Sequence, residues 1–186
     1  MEMDRSASQL QHSGGGTSIQ VTALDAIINV NSLFTLAVFL GLAWNPSDPN
    51  NSLISNQSCI AGASYTEDLV AFHVYSFSSF LFSSLIALAL KQAIRIVRNP
   101  GFHFQYAELL ALVNKTALRV GMVISGAGSA CGCAFLMMAL VNLVQIKLGT
   151  LACGSSHSYA AIVPLVILVP SALLLYVSVV LYAFTR

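Results

Sequence analysis

Four apolar stretches, each about as long as a lipid bilayer is thick, constrain this chain more than any other feature. A hydrocarbon core about 30 Å deep needs roughly 20 mostly apolar helical residues to cross it. The stretches run over about 24–44 (LDAIINVNSLFTLAVFLGLAW), 69–90, 120–144 and 159–184. The second contains no formally charged residue, the third is rich in Gly, Ala, Ser and Cys, and the fourth carries Pro164 and Pro170. The runs are continuous rather than alternating, which favours helices over a barrel. The expected fold is all-α, an integral membrane four-helix bundle.

Composition agrees. Only 8% of the 186 residues are charged and 56% are hydrophobic, against roughly 25% charged in an ordinary soluble domain. A net charge of +1 and four cysteines argue against a nucleic-acid partner and a disulfide-built scaffold. Residues 1–20 are polar and hold the run Gly14-Gly15-Gly16, so a short disordered tail is expected before a single transmembrane domain over 21–186. The tail lacks an apolar core, and Glu2 and Asp4 accompany its one Arg5. Neither a cleavable signal peptide nor an Arg-rich transit peptide is expected; the first helix would itself direct the chain to the endomembrane system or plasma membrane.

Charge sets the expected orientation. Arg5, Lys91, Arg95, Arg98, Lys115, Arg119 and Arg186 fall on one side of a four-span chain and only Lys147 on the other. The positive-inside rule then puts both termini in the cytoplasm. The outer loops would hold the sequons at Asn50 and Asn56, making Asn56 a candidate glycosylation site, while the Asn114 sequon would face the cytoplasm and stay silent. Cys59 and Cys153 both fall on the oxidising side; a disulfide between them or two free thiols remain open alternatives.

Polar residues inside a membrane are costly and mark either function or helix contact. On the first helix, Thr22, Asp25, Asn29 and Ser32 recur at helical spacing. A structural ion pair between Asp25 and Arg119 is expected, with Lys91 and Arg95 close enough in depth to stand in. The competing reading is an ion or proton pathway, but AVFLGLA above it offers no polar continuation. His73 shares a face with Ser76 and Ser83 and has no second histidine or carboxylate at a helical offset, so a satisfied structural histidine is expected over a pH sensor or metal ligand. In the third span, Gly121, Ser125, Gly128 and Gly132 form a small-residue stripe expected to pack helices closely. Cys131 and Cys133 point to different faces and read as packing residues.

In the central loop, Lys91, Arg95 and Arg98 form a basic stripe suited to anionic lipid headgroups, and Tyr106, Leu109, Leu110 and Val113 share an apolar face. There is no GxSxG, HExxH or P-loop, and no paired intramembrane carboxylates. The chain is therefore expected not to be an enzyme, with no catalytic, cofactor-binding or metal residue assigned.

The stretches TALDAIINVNSLFTLAVFLGLAWNPSDPNNSL, HVYSFSSFLFSSLIALALKQAIR, NKTALRVGM and VQIKLGTLACG…YAAIVPLVILVPSALLLYVS resemble a group of small plant four-helix membrane proteins, including the maternal-effect-embryo-arrest type. Those stretches make up about half of the chain, and the resemblance implies a plant multi-pass membrane protein connected with development. The group has no assigned biochemical activity, so no site residue is carried over. CASP-type four-helix scaffolds are less similar: they pair a base on the first helix with an acid on the third, the reverse of Asp25 and Arg119. Tetraspanins differ in their long outer loop with CCG. The functional expectation is a scaffold, assembly factor or accessory subunit, meeting other membrane proteins or itself. The alternative is a small transporter or channel component using Asp25, Asn29 and His73.

Overall fold

The computed structural model describes residues 2–43, 60–98, 115–151 and 156–185, excepting the side chains at 2–19, 97–98, 115–116, 180–181 and 183–185. These residues form four helices: α1 (Glu2–Ala43), α2 (Ala63–Arg98), α3 (Lys115–Leu148) and α4 (Ser156–Thr185). All four are long and apolar enough to cross a membrane, over Gln20–Ala43, Ala63–Ile96, Ala117–Leu148 and Ser156–Val179. The candidate sites at Asn50, Asn56, Cys59 and Cys153, and the loop face of Tyr106 to Val113, lie outside the described residues.

Two helices run further than their apolar stretches. The α2 span covers 34 residues instead of the 22 between Leu69 and Leu90, or about 51 Å at 1.5 Å per residue. Its surplus turns carry Glu67 and Asp68 at one end and Lys91 and Arg95 at the other. Charged turns of this kind pass through the headgroup layers, where water satisfies them. Helix α1 begins at Glu2, so it takes in the segment expected to be a disordered tail. No proline interrupts residues 2–43, and once a helix is nucleated each further residue adds a bond at little cost.

The buried side chains reveal a period that decides the packing. On α2 they are Leu69, His73, Ser76, Phe80, Ser83, Ala87 and Ile94; on α1, Leu24, Ile27, Asn31 and Val38; on α3, Met122, Ser125, Ser129, Cys133, Leu136 and Ala139. The steps are three or four residues, or seven where a turn pair is skipped, which is the heptad spacing of left-handed helix pairs. Helix α2 sits centrally, with its broadest interface on α3 and a second on α1; α4 rests mainly on α3. Directions alternate: Asp25 meets Lys91, while Gly41 meets His73 at the far end of the same two helices. The start of α1, the end of α2, the start of α3 and the end of α4 therefore share one end of the bundle.

Helices in lipid gain nothing from hiding apolar surface, because acyl chains are as apolar as leucine; they associate through close packing and hydrogen bonds. Glycines make the α2–α3 approach close. A Cβ on Gly132 would lie 2.7 Å from the Phe80 ring, one on Gly121 2.9 Å from Leu90, and one on Gly128 3.2 Å from the Ser83 Cβ. The α3–α4 connection is closed differently. Gly149, at φ 99°, takes the left-handed conformation that ends α3, and its N–H donates to the Gln145 carbonyl at 3.1 Å. Ser158 then donates to the carbonyls of Leu148 (3.2 Å) and Gly149 (3.0 Å), capping α3 from the first turn of α4.

Gly132→Ala is expected to lower stability by about 1–3 kcal/mol, since the new methyl must displace the Phe80 ring in a packed interface. Gly62→Ala, with nothing within 4 Å of its added Cβ, is expected to be neutral. Thermal unfolding of both variants in mild detergent distinguishes them.

Candidate functional site

Two apolar clusters lie one above the other in the bundle. One gathers Leu24, Ile27, Ala87, Ile94 and Met122 toward the basic end; the other gathers Val38, Phe80, Cys133 and Leu136 toward the opposite end. Between them lies a polar layer centred on Asn31, which is fully buried. The Asn31 amide donates to Ser83 Oγ at 2.8 Å and to Ser84 Oγ at 3.2 Å, and its carbonyl oxygen accepts from Ser129 Oγ at 2.6 Å. Ser83 and Ser125 exchange bonds across α2 and α3, each hydroxyl donating to the other's backbone carbonyl, at 2.6 and 2.8 Å. One asparagine thereby ties three helices, with both amide hydrogens and its oxygen engaged.

The face chosen on α1 from sequence is not the inward one. Asn29 and Ser32 are exposed, and Ser32 donates to the Ile28 carbonyl of its own helix at 2.8 Å. Asn31, outside the expected polar set, lies on the buried seam Leu24–Ile27–Asn31–Val38. The expected polar set carries the same seven-residue spacing, at Thr22/Asn29 and Asp25/Ser32; what sets Asn31 apart is the apolar company of Leu24, Ile27 and Val38 on its face.

The ion pair also has a different partner from the one expected. Asp25 is bonded by Lys91 of α2, not by Arg119 of α3. Arg119 is exposed, and α3 meets α1 along a much narrower seam than α2 does. Equal depth along the bundle brought Arg119 into consideration; position around the helix axis selects Lys91. The pair is half-buried, with the Lys91 side chain 19% and the Asp25 side chain 43% accessible, and it marks the basic end.

His73 is buried, and its Nδ1–H donates to the Leu69 carbonyl one turn back at 2.8 Å. The other edge of the ring lies on α1, where a Cβ at Gly41 would come within 2.6 Å of Nε2. Eighteen residues along α2 separate it from Lys91, about 27 Å. Ser76, one turn away, donates to the Gly132 carbonyl at 2.8 Å. Phe80 fills the level between Ser76 and Ser83, fully buried and stacked on Phe34 with ring centres 5.4 Å apart. The polar groups along α2 are thus separated by an aromatic plug. Cys131 is exposed and Cys133 buried, on different faces of α3. Among the described residues, no three His, Cys, Asp or Glu side chains come together as metal ligands.

A cavity of about 390 Å³ adjoins the polar layer between α1, α3 and α4, lined by Phe34, Ser129, Cys133, Leu136, Leu173 and Tyr176 among others. Comparison of the chain with protein-family models, with curated proteins and with solved structures finds no match. Functional inference therefore rests on these contacts.

Asn31→Leu removes three interhelical hydrogen bonds, each worth roughly 0.6 kcal/mol in a membrane interior, and is expected to destabilise the bundle by about 2 kcal/mol. Asn29→Leu should change stability by less than about 0.5 kcal/mol. Both are read from unfolding in detergent. At the basic end, Asp25→Asn and Lys91→Met should each lower stability, and the double variant should lose about 1 kcal/mol less than the sum. Asp25→Asn combined with Arg119→Met should be additive. Coupling to Arg119 in place of Lys91 would contradict the observed pair.

Proposed function

We propose that this chain is a non-enzymatic multi-pass membrane protein acting as a scaffold, assembly factor or accessory subunit, with both termini in the cytoplasm. The observation that carries this reading is the closure of the interior polar seam. The Asn31, Ser76, Ser83, Ser125 and Ser129 groups are bonded helix to helix, and Phe80 separates those near His73 from those near Asp25. Polar groups arranged in this way fix helix positions; a solute path needs groups left free to exchange partners with water or an ion. The orientation is supported by charge: Lys91, Arg95 and Arg119 stand at one end of the bundle and Lys147 at the other. At that end the bases are also placed to meet anionic lipid headgroups. The resemblance to plant four-helix membrane proteins of the maternal-effect-embryo-arrest type extends the reading to a developmental role in a plant endomembrane or plasma membrane.

Isolation of the intact protein in mild detergent is expected to recover a stoichiometric membrane-protein partner, and the purified chain in liposomes is expected to carry no solute flux. Flux that survives in the purified chain and is abolished by Asp25→Asn would favour the transporter reading instead. For orientation, a cysteine placed at Arg98 should be labelled by an impermeant maleimide only after the cell or vesicle is opened. Labelling from outside an intact cell would reverse the topology.

A further inference from the structure

Helix α1 carries a second heptad seam, on the side turned away from the bundle. Asp25, Asn29, Ser32, Leu36 and Phe39 follow one another in steps of four and three residues. All but Asp25 are exposed, Leu36 by 57% and Phe39 by 63%. Asn29 stands about 160° around the helix axis from the buried Asn31, and about 6 Å further into the span than Asp25. Ser32, one turn deeper again, is satisfied by the Ile28 carbonyl of its own helix. The Asn29 carboxamide closes no hydrogen bond with any described residue. Acyl chains neither donate nor accept, so an amide turned toward them is costly, and membrane helices meet such groups with another helix.

We propose that this face of α1 pairs with the same face of a second copy of the chain, the two helices running parallel and the Asn29 amides bonding to each other. All copies insert with one topology. A two-fold axis along the membrane normal therefore sets α1 against α1 in parallel, and each seam residue faces its own counterpart. Such a contact admits only groups that complement themselves. A carboxamide does, because its NH2 donates and its oxygen accepts, so two of them exchange a pair of bonds. Leu36 and Phe39 pack on their like, and Ser32 is small enough to let the backbones approach. Asp25 lies at the rim, where the bonded Lys91 ammonium offsets repulsion between the two carboxylates. One asparagine in a seam of this spacing is also a known means of fixing register in parallel helix pairs. A lipid headgroup is a poorer occupant, since the short Asn29 side chain cannot reach back to the interface as lysine and arginine do. The inference depends on the bundle lying in a membrane and goes beyond the scaffold reading, because the pair forms whether or not another protein binds elsewhere.

The test uses the full chain, labelled separately with donor and acceptor fluorophores and reconstituted together in phosphatidylcholine vesicles. Energy transfer should exceed that of randomly distributed chains and fall as lipid is added. Asn29→Leu should weaken association about tenfold, the worth of two hydrogen bonds in a membrane interior, and leave the fold intact. Asn29→Gln, which keeps donor and acceptor, should stay within about threefold of the unaltered chain. A photoreactive amino acid at Leu36 should give a crosslinked species of twice the chain mass, both in the vesicles and in cells expressing the full chain. The same group at Leu168, 65% exposed on α4, should not. Transfer at the random level, association insensitive to Asn29→Leu, or Asn29→Gln as damaging as Asn29→Leu overturns the proposal. So does equal crosslinking from Leu36 and Leu168, or capture at Leu36 of a different membrane protein or of lipid alone. Failure to isolate a stoichiometric heterologous partner counts against the scaffold reading and leaves a measured self-pairing standing.

Discussion

Inside a bilayer there is no water to complete a hydrogen bond, and the core of this bundle is organised by that restriction. Backbone groups bond within their own helices, and most interior side-chain oxygens and nitrogens find a partner on a neighbour. Asn31 does so three times. Because its partners stand on α2 and α3, satisfying one amide fixes the rotation and height of three helices together. The reciprocal Ser83–Ser125 bonds lock the α2–α3 register in the same way. Such bonds have no strong rival in the hydrocarbon, so they confer specificity even where each contributes little energy.

Close approach is the companion requirement. The hydroxyl of a serine is short, and it reaches a carbonyl on the next helix only where the backbones come near. Gly121, Gly128 and Gly132 supply that proximity against Leu90, Ser83 and Phe80. Glycines and serines on α3 thus work as one device. Small residues bring the backbones together, and the hydroxyls then bond across the contact.

Much of the fold was legible from the sequence, because spanning a bilayer imposes a length and an apolarity that a run of residues either has or lacks. Four helices, their alternating directions and the separation of Lys147 from the other described bases all follow from run length and charge order. Azimuth did not follow. Asp25 is level with Lys91, Arg95 and Arg119, and depth alone cannot choose among them; the choice needs the rotation of α1 against each neighbour. Asn29 and Asn31 lie only two residues apart yet face outward and inward. The polar set Thr22, Asp25, Asn29 and Ser32 repeats at the same three-and-four alternation as the buried set Leu24, Ile27, Asn31 and Val38, so spacing alone cannot choose between the two faces. The same alternation runs unbroken down α2 from Leu69 to Ala87. The extension of α1 to Glu2 has another cause: polarity and a glycine run weaken a helix, but they do not stop one already propagating from the membrane.

The manner in which α4 is attached bears on how the protein is made. Membrane helices emerge from the ribosome in order, and the Asn31 layer is composed entirely of α1, α2 and α3. Its hydrogen bonds can close before the last span has been synthesised. Helix α4 then arrives at a finished surface, brought into place by the Gly149 turn and the Ser158 cap rather than by a polar bond it must complete in the interior. The contacts thus divide into an Asn31 layer that is complete within α1, α2 and α3 and a fourth helix held by its connection to α3 and by apolar packing.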